Sequence, residues 1–346
     1  MKLASLKQGG RDGALLVVNK DLTRAVKVST LLSPSLSPPS STSTTLTDTL
    51  ILAVENWREV YGLLNNIYQH LCEESDQDVI RNSFPLDFHQ LSSPLPRSPQ
   101  WLDGSAYLPH VRRVRKARGA EMPESFLTDP LMYQGASDTY LSPLEAIPLC
   151  DEDWGCDFEA EIAVITDDVP LGIKSHSAHE HITLIMLVND ISLRNLIPNE
   201  LAKGFGFLHG KPSSSFSPIA VTPDELDGSW ENSKVHLPLC TYLNDRLMGE
   251  PNAGDDMQFN FSELIAHAAT SRSLAAGTII GSGTVSNADE KKGVSCLVEK
   301  RVIEIVKSGK ATTPFLKHDD IVRIEMRDTR GHNIFGSIEQ RVKLEQ

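Results

Sequence analysis

The sequence predicts an α+β protein, mainly β, in two parts: a small N-terminal region over 1–95 and a larger β-rich region over 96–346. Three observations lead there. From about residue 100 onward, short β-like runs punctuated by Pro and Gly dominate. Residues 48–73 instead carry helical spacing, with Trp57, Val60, Leu64, Ile67 and Leu71 recurring at threes and fours. Between the two, Ser92-Ser-Pro-Leu-Pro-Arg-Ser-Pro99 breaks both patterns and marks a boundary. A chain of 346 residues also exceeds the usual size of one domain.

Each element follows in order. Leu15-Leu-Val-Val18 and Ala25-Val-Lys-Val28 read as short strands around the turn residues Asn19-Lys-Asp21. The Ser/Thr/Pro stretch Ser33–Thr45 reads as an exposed loop. Beyond residue 100 one helix is expected, Phe261–Ala276, ending at Gly277. There is no internal repeat. Within the β region Asp157, Glu159 and Glu161 alternate with Phe158, Ala160, Ile162 and Val164. Side chains alternate across a strand, so this repeat gives one apolar and one acidic face. The apolar run from Ile182 to Val188 reads as a buried strand with Asp190 at its end. Pairing of the two strands would bring three or four carboxylates together. A hard divalent cation, Mg²⁺ or Ca²⁺, would offset their repulsion and desolvation. The alternative is a solvated acidic face on an edge strand.

Composition bounds the function. With 40% hydrophobic and 23% charged residues the chain is an ordinary globular protein. A net charge of -13 argues against nucleic acid as the main partner. Five cysteines without a CxxC pair fit reduced thiols in a cytoplasmic protein. No apolar leader or span of 18 residues occurs, so neither secretion nor a membrane is expected. Gly204-Phe-Gly-Phe-Leu-His-Gly-Lys211 has the wrong spacing for a phosphate loop, and Pro212 stands where Ser or Thr should open a helix. Gly281-Ser-Gly283-Thr284 is not a nucleophile elbow; it reads as a tight turn or a close backbone approach to a ligand. The basic run His110–Arg118 lacks interleaved aromatics, and a clamp on a substrate carboxylate suits it better than nucleic acid.

Four segments, Asp157-Phe-Glu-Ala-Glu161, Val188-Asn-Asp-Ile-Ser-Leu-Arg194, Gly210-Lys-Pro and Gly277-Thr-Ile-Ile-Gly-Ser-Gly-Thr284, resemble in that order the fumarylacetoacetate hydrolase family. The resemblance covers about 100 to 346, and the N-terminal region looks like the family's small β-barrel domain. It implies a mixed β-sandwich roll, usually a homodimer. It also implies a metal held by Glu159, Glu161 and Asp190, with Asp103 as fourth ligand and Asp157 as a flanking carboxylate. His110, seven residues after Asp103, resembles the base that deprotonates water, and Glu299 the acid that orients it. Arg194 and Lys211 resemble cations near the substrate, and Tyr133, Thr284 and Arg118 resemble or suit substrate contacts. Tyr133-Gln-Gly135 resembles a Tyr-His-Gly of the true fumarylacetoacetases, which act in tyrosine catabolism. One departure stands out: Ile197 occupies the place of a substrate-contacting glutamine.

The chemistry explains these residue types. Cleaving a C–C bond in a 1,3-diketo acid needs water at one carbonyl and an enolate leaving group. A chelating cation polarises the dioxo oxygens. A carboxylate-held histidine takes the water's proton, and Lys211 and Arg194 balance the developing charge. Fumarylacetoacetate is the leading substrate. A 2-oxo acid lyase (decarboxylase or hydratase), an acylpyruvate hydrolase and an idle metal-stabilised binding protein are the alternatives.

Overall fold

The structure, a computed structural model, describes residues 1–32, 46–117 and 121–345. The loop expected over 33–45 and Arg118 lie outside the described residues. Strands β1 (Lys2–Leu6), β2 (Ala14–Val18), β3 (Arg24–Lys27) and β4 (Ser83–Pro85) pair in antiparallel succession. They form one end of a mixed sheet of eleven strands among the described residues. The join runs from β1 through the short strand Ala220–Val221. Beyond it stand β5 (Trp101–Gly104), β6 (Met132–Gly135), β7 (Ala160–Thr166), β8 (Ile182–Asn189) and β9 (Ile279–Gly281). Their spatial order is β8, β7, β9, β5, β6. The β9–β5 pairing is parallel and the others are antiparallel. Both β7 and β8 are buried on both faces, which is why β8 reads as an unbroken apolar run.

A second sheet has five strands, ordered Arg246–Gly249, Leu239–Leu243, Ile321–Met326, Ile338–Leu344, Ile147–Leu149. Ile338, Gln340 and Val342 point inward while Glu339, Arg341 and Lys343 face solvent, the period of a half-buried strand. Ile162, Val164, Ile185 and Leu187 from the first sheet share a core with Val322, Ile324 and Ile338 from the second. The other face of β7 and β8, through Ala163, Ile165, Leu184 and Met186, packs with Val60, Leu64, Ile67 and Leu71. Fully burying one such leucine is worth about 1.5–3 kcal/mol.

The helical segment expected over 48–73 is two helices, α1 (Leu50–Glu55) and α2 (Trp57–Glu73). Asn56 separates them with non-helical backbone, its side chain donating back to the Leu52 carbonyl at 2.9 Å. Two helices absent from the sequence reading bracket the site: α3 (Leu108–Ala117), in the basic run, and α5 (Leu297–Ser308). Between them α4 (Phe261–Ala268) begins at an Asn260–Glu263 capping box but stops eight residues short of Ala276. Past it, Thr270, Ser271 and Arg272 are exposed and offer no apolar face to bury. Among the described residues no helix is long and apolar enough to cross a membrane.

Candidate active site

One end of the large sheet gathers the carboxylates. Asp190 follows β8, Glu161 is the second residue of β7, Asp103 lies in β5 and Tyr133 in β6. Register brings them level: Glu161 lies opposite Val188, Gly281 opposite Asp103, and Asp103 opposite Tyr133. One carboxylate oxygen from each of Asp103, Glu161 and Asp190 lies within 4.8 Å of the others, and all three residues are buried. Gly281 leaves room for this convergence, since a Cβ there would come within 2.5 Å of Asp103 Oδ1. Gly283 adopts φ +77° beside the Gly104 carbonyl, and its backbone N–H donates to Asp103 Oδ1 at 3.1 Å.

The three acids of the alternating repeat have three different surroundings. Asp157 accepts from the backbone N–H groups of Leu297 and Val298 at 2.7 and 2.9 Å, capping α5, and from Arg194 Nε at 2.9 Å. Glu159 accepts from Arg194, Lys211, Thr284 and Ser192 at 2.7, 2.5, 2.9 and 3.2 Å. Burial opposes its charge, but Arg194 and Lys211 outweigh it and hold the carboxyl well below its usual range. Glu161 receives no hydrogen bond at either oxygen. Burial, with Asp103 and Asp190 as neighbours, pushes its pKa well up. Asp103 is likewise pushed up to about 8 by burial and by Asp190.

This asymmetry fits a hard cation. Six carboxylates are buried here, Asp103, Asp157, Glu159, Glu161, Asp190 and Glu299. Arg113, Arg194 and Lys211 are the cations paired with them. Such an excess is costly unless protons or a metal ion neutralise it. The orphaned Glu161 oxygens and the all-oxygen donor set suit an ion of the Mg²⁺, Mn²⁺ or Ca²⁺ kind.

The helices carry the other half. His110, on the first turn of α3, meets Glu299 on the first turn of α5, with Nδ1–Oε2 at 2.7 Å. This pair needs α3 packed against α5, which no sequence periodicity indicated. Glu299 also accepts from Arg113 at 2.5 Å and Ser286 at 2.9 Å. His110 and Arg113 together hold its pKa low despite its burial. Arg113 was not singled out in the basic run; its signal is the i,i+3 spacing from His110, which shares a face only if the run is helical. Tyr133 Oη donates to Asp190 Oδ2 at 2.5 Å, and Ser214 donates to the other oxygen at 2.8 Å. Lys211 Nζ bridges Glu159 and Asp190, 2.5 Å from each, and stands 5.0 Å over the Tyr133 ring.

The loop before Lys211 is fixed by another residue missing from the sequence reading. Glu200 accepts from the backbone N–H groups of Leu208, His209 and Gly210, the closest at 2.6 Å. A cavity of about 410 Å³ opens over the cluster. Its lining joins the polar Asp103, His110, Glu159, Arg194, Lys211 and Thr284 with the apolar Leu131, Met132, Ile197, Leu201 and Phe207, and includes Tyr133. Every residue singled out from the sequence and described here therefore lies in this site or directly behind it; Arg118 is outside the described residues.

Comparison with known proteins bears on the fold and the family. The Bacillus subtilis oxaloacetate tautomerase YisK is 26% identical over 57% of this chain and 62% of its own length. The mitochondrial oxaloacetate tautomerase FAHD2B of Bos taurus is 27% identical over 45% of this chain and 48% of its own. The chain thus spans about half to three fifths of these two relatives. Among solved structures, a fumarylacetoacetate hydrolase from psychrophilic Exiguobacterium antarcticum superposes with a TM-score of 0.63 at 17% identity, covering both chains fully. A maleylpyruvate hydrolase from Sphingobium sp. SYK-6, in complex with manganese(II) and pyruvate, gives 0.62 at 15%, again over both full chains. These likenesses establish the fold. The profile described as "Fumarylacetoacetate (FAA) hydrolase C-terminal" matches residues 100–343, and "Fumarylacetoacetase N-terminal domain 2" matches residues 1–37. With the larger match covering well over half of its length, the chain belongs to the fumarylacetoacetate hydrolase family.

Proposed function

We propose that this enzyme hydrolyses a C–C bond in a 1,3-diketo acid, an acylpyruvate or fumarylacetoacetate, with a divalent cation held by Asp103, Glu161 and Asp190 and bordered by Glu159. The observation that carries the reading is the His110–Glu299 pair, 2.7 Å apart at the edge of the carboxylate cluster. A tautomerase would use such a base to move a proton at carbon; hydrolysis uses it to deprotonate water, which suits a histidine that lines the open cavity.

The bound cation would supply Lewis-acid polarisation and a template for the dioxo oxygens. Glu299 engages Nδ1 and leaves His110 Nε2 to take a proton from water. The water oxygen bonds to the distal carbonyl carbon, the C–C bond breaks, and the proton returns to the carbon of the departing enolate. Lys211 and Arg194 offset negative charge on the substrate oxygens, and Thr284 holds Glu159 in place. The apolar wall at Ile197, Leu201 and Phe207 receives the acyl group. Mg²⁺ and Ca²⁺ remain the expected ions, and the manganese in the maleylpyruvate hydrolase structure adds Mn²⁺. A cytoplasmic homodimer, with a domain boundary near residue 95, completes the proposal.

A second reading has support of its own. Four curated relatives are named oxaloacetate tautomerases, and keto–enol exchange would use the same cation site. The deciding experiment offers metal-loaded enzyme an acylpyruvate, fumarylacetoacetate and enol-oxaloacetate in parallel. Release of pyruvate or acetoacetate, lost in His110→Ala, supports hydrolysis. Oxaloacetate exchange with no C–C cleavage in any substrate overturns it.

A further inference from the structure

We propose that Glu200 is a positioning residue that couples the acyl group of the substrate to Lys211, so that a well-filled acyl pocket raises turnover and not binding alone. The inference deepens the hydrolytic reading and rests on it. The short helix Ile197–Leu201 carries Glu200 together with two residues of the apolar lining, Ile197 and Leu201. Glu200 is buried and reaches across to the turn before Lys211. Its Oε1 accepts from the backbone N–H of His209 at 2.6 Å and its Oε2 from that of Gly210 at 2.8 Å. The N–H of Leu208 lies 3.2 Å from both oxygens.

The surroundings make this contact a clasp between helix and turn. Gly210 presses directly on the helix, since a Cβ there would come within 2.7 Å of Ile197 Cγ1 and 2.9 Å of Glu200 Oε2. Its carbonyl accepts from the Leu193 N–H at 2.9 Å, so the residue before Lys211 is held from both sides. Between helix and turn the chain packs against little. Gly204 and Gly206 adopt φ of +78° and +95° with open space around them, and Phe205 between them is 99% exposed. Displacement of the helix therefore reaches Lys211 through Glu200 and not through the intervening loop. Burial opposes the charge of Glu200, but the three N–H groups outweigh it and hold the carboxyl below its usual range. Lys211 in turn meets Glu159 and Asp190, with Nζ 2.5 Å from each. An acyl chain seated against Ile197 and Leu201 fixes the helix, and with it the lysine, where charge develops on the substrate oxygens. Binding energy from the non-reacting end of the substrate is then used at the reacting end, so a truncated substrate loses kcat and not only affinity.

The test compares two acylpyruvates on the metal-loaded enzyme, one ending in a methyl group and one in a pentyl chain. In the wild type the pentyl compound should have the higher kcat. Glu200→Ala should lower kcat on the pentyl compound at least about tenfold more than on the methyl compound. Glu200→Gln, which keeps one accepting oxygen, should recover part of that difference, and it carries the test should the alanine variant not fold. Equal kcat on the two compounds in the wild type, or equal losses in the variants, overturns the coupling. If the wild type cleaves neither compound, the hydrolytic reading fails and amide hydrogen exchange at residues 208–210 decides the coupling by itself. There the pentyl compound should slow exchange more than the methyl compound in the wild type, and no more than it in Glu200→Ala. The same slowing by both compounds in the wild type overturns the coupling.

Discussion

The sheet end and the helix pair build the site by opposite means. On β5 and β7 and after β8, backbone register forces Asp103, Glu161 and Asp190 together, and Glu161 is left with no donor at all. On α3 and α5, Glu299 is surrounded instead by donors from His110, Arg113 and Ser286. Rigid strands hold acids in an unfavourable cluster that bound protons or an added cation relieve. The helices hold a charge-balanced pair whose geometry depends on its own hydrogen bonds.

That contrast breaks most sharply at His110. His110→Ala should leave cation binding intact and lower kcat by at least about 10²-fold, the scale of general-base loss. Turnover close to wild type would assign water activation to another group. The cavity wall gives a smaller effect. With Ile197 in the wall, simple acylpyruvates should be turned over within about 10²-fold of fumarylacetoacetate. Ile197→Gln should move that ratio toward fumarylacetoacetate by about tenfold. An unchanged ratio of kcat/KM values would show that the acyl group does not reach residue 197.

Within the helix pair, Arg113→Met should reduce kcat by about tenfold with KM nearly unchanged, on the scale of a lost charged hydrogen bond. Arg113→Lys should restore part of it. Adding Glu299→Gln to Arg113→Met should cost less than the product of the two single effects, because both act through one carboxylate. Full additivity would mean that Arg113 merely stabilises α3.

How much of this was legible follows from the same contrast. Alternation of period two is unambiguous, so Asp157, Glu159, Glu161 and the terminal Asp190 could be read directly. Their different fates could not, because Asp157 meets the N-terminus of α5 some 140 residues away in sequence. The run carrying His110 reads first as a basic cluster with Pro109 near its start, although Leu108, Val111 and Val114 recur at threes, and this hid α3 and with it Arg113. Glu299 is marked by the resemblance alone. It lies in the first turn of α5, whose buried stripe is only Leu297, Glu299 and Val302. Glu200 was invisible because its partners are backbone N–H groups of a turn.

A gentler effect separates the two regions by pH. Asp103 is held protonated up to about 8 in the fold, and Glu161 is shifted in the same direction. A carboxyl raised in this way stabilises the fold below its unfolded value of about 4, and the contribution is lost as pH climbs toward the folded value. The metal-free protein should therefore melt at lower temperature as pH rises between about 5 and 8. Divalent cations replace those protons, so Mn²⁺ should raise the melting temperature more at about pH 8 than at about pH 6. An equal shift at both would indicate binding away from these acids.

The central claim, that Asp103, Asp190 and the donorless Glu161 form the cation site, is tested most directly by calorimetric titration of metal-free protein with Mn²⁺. The wild type should bind at the oxygen cluster, and Glu161→Gln should weaken that binding by at least about tenfold while keeping the fold. Glu161→Gln binding Mn²⁺ as tightly as the wild type would contradict it.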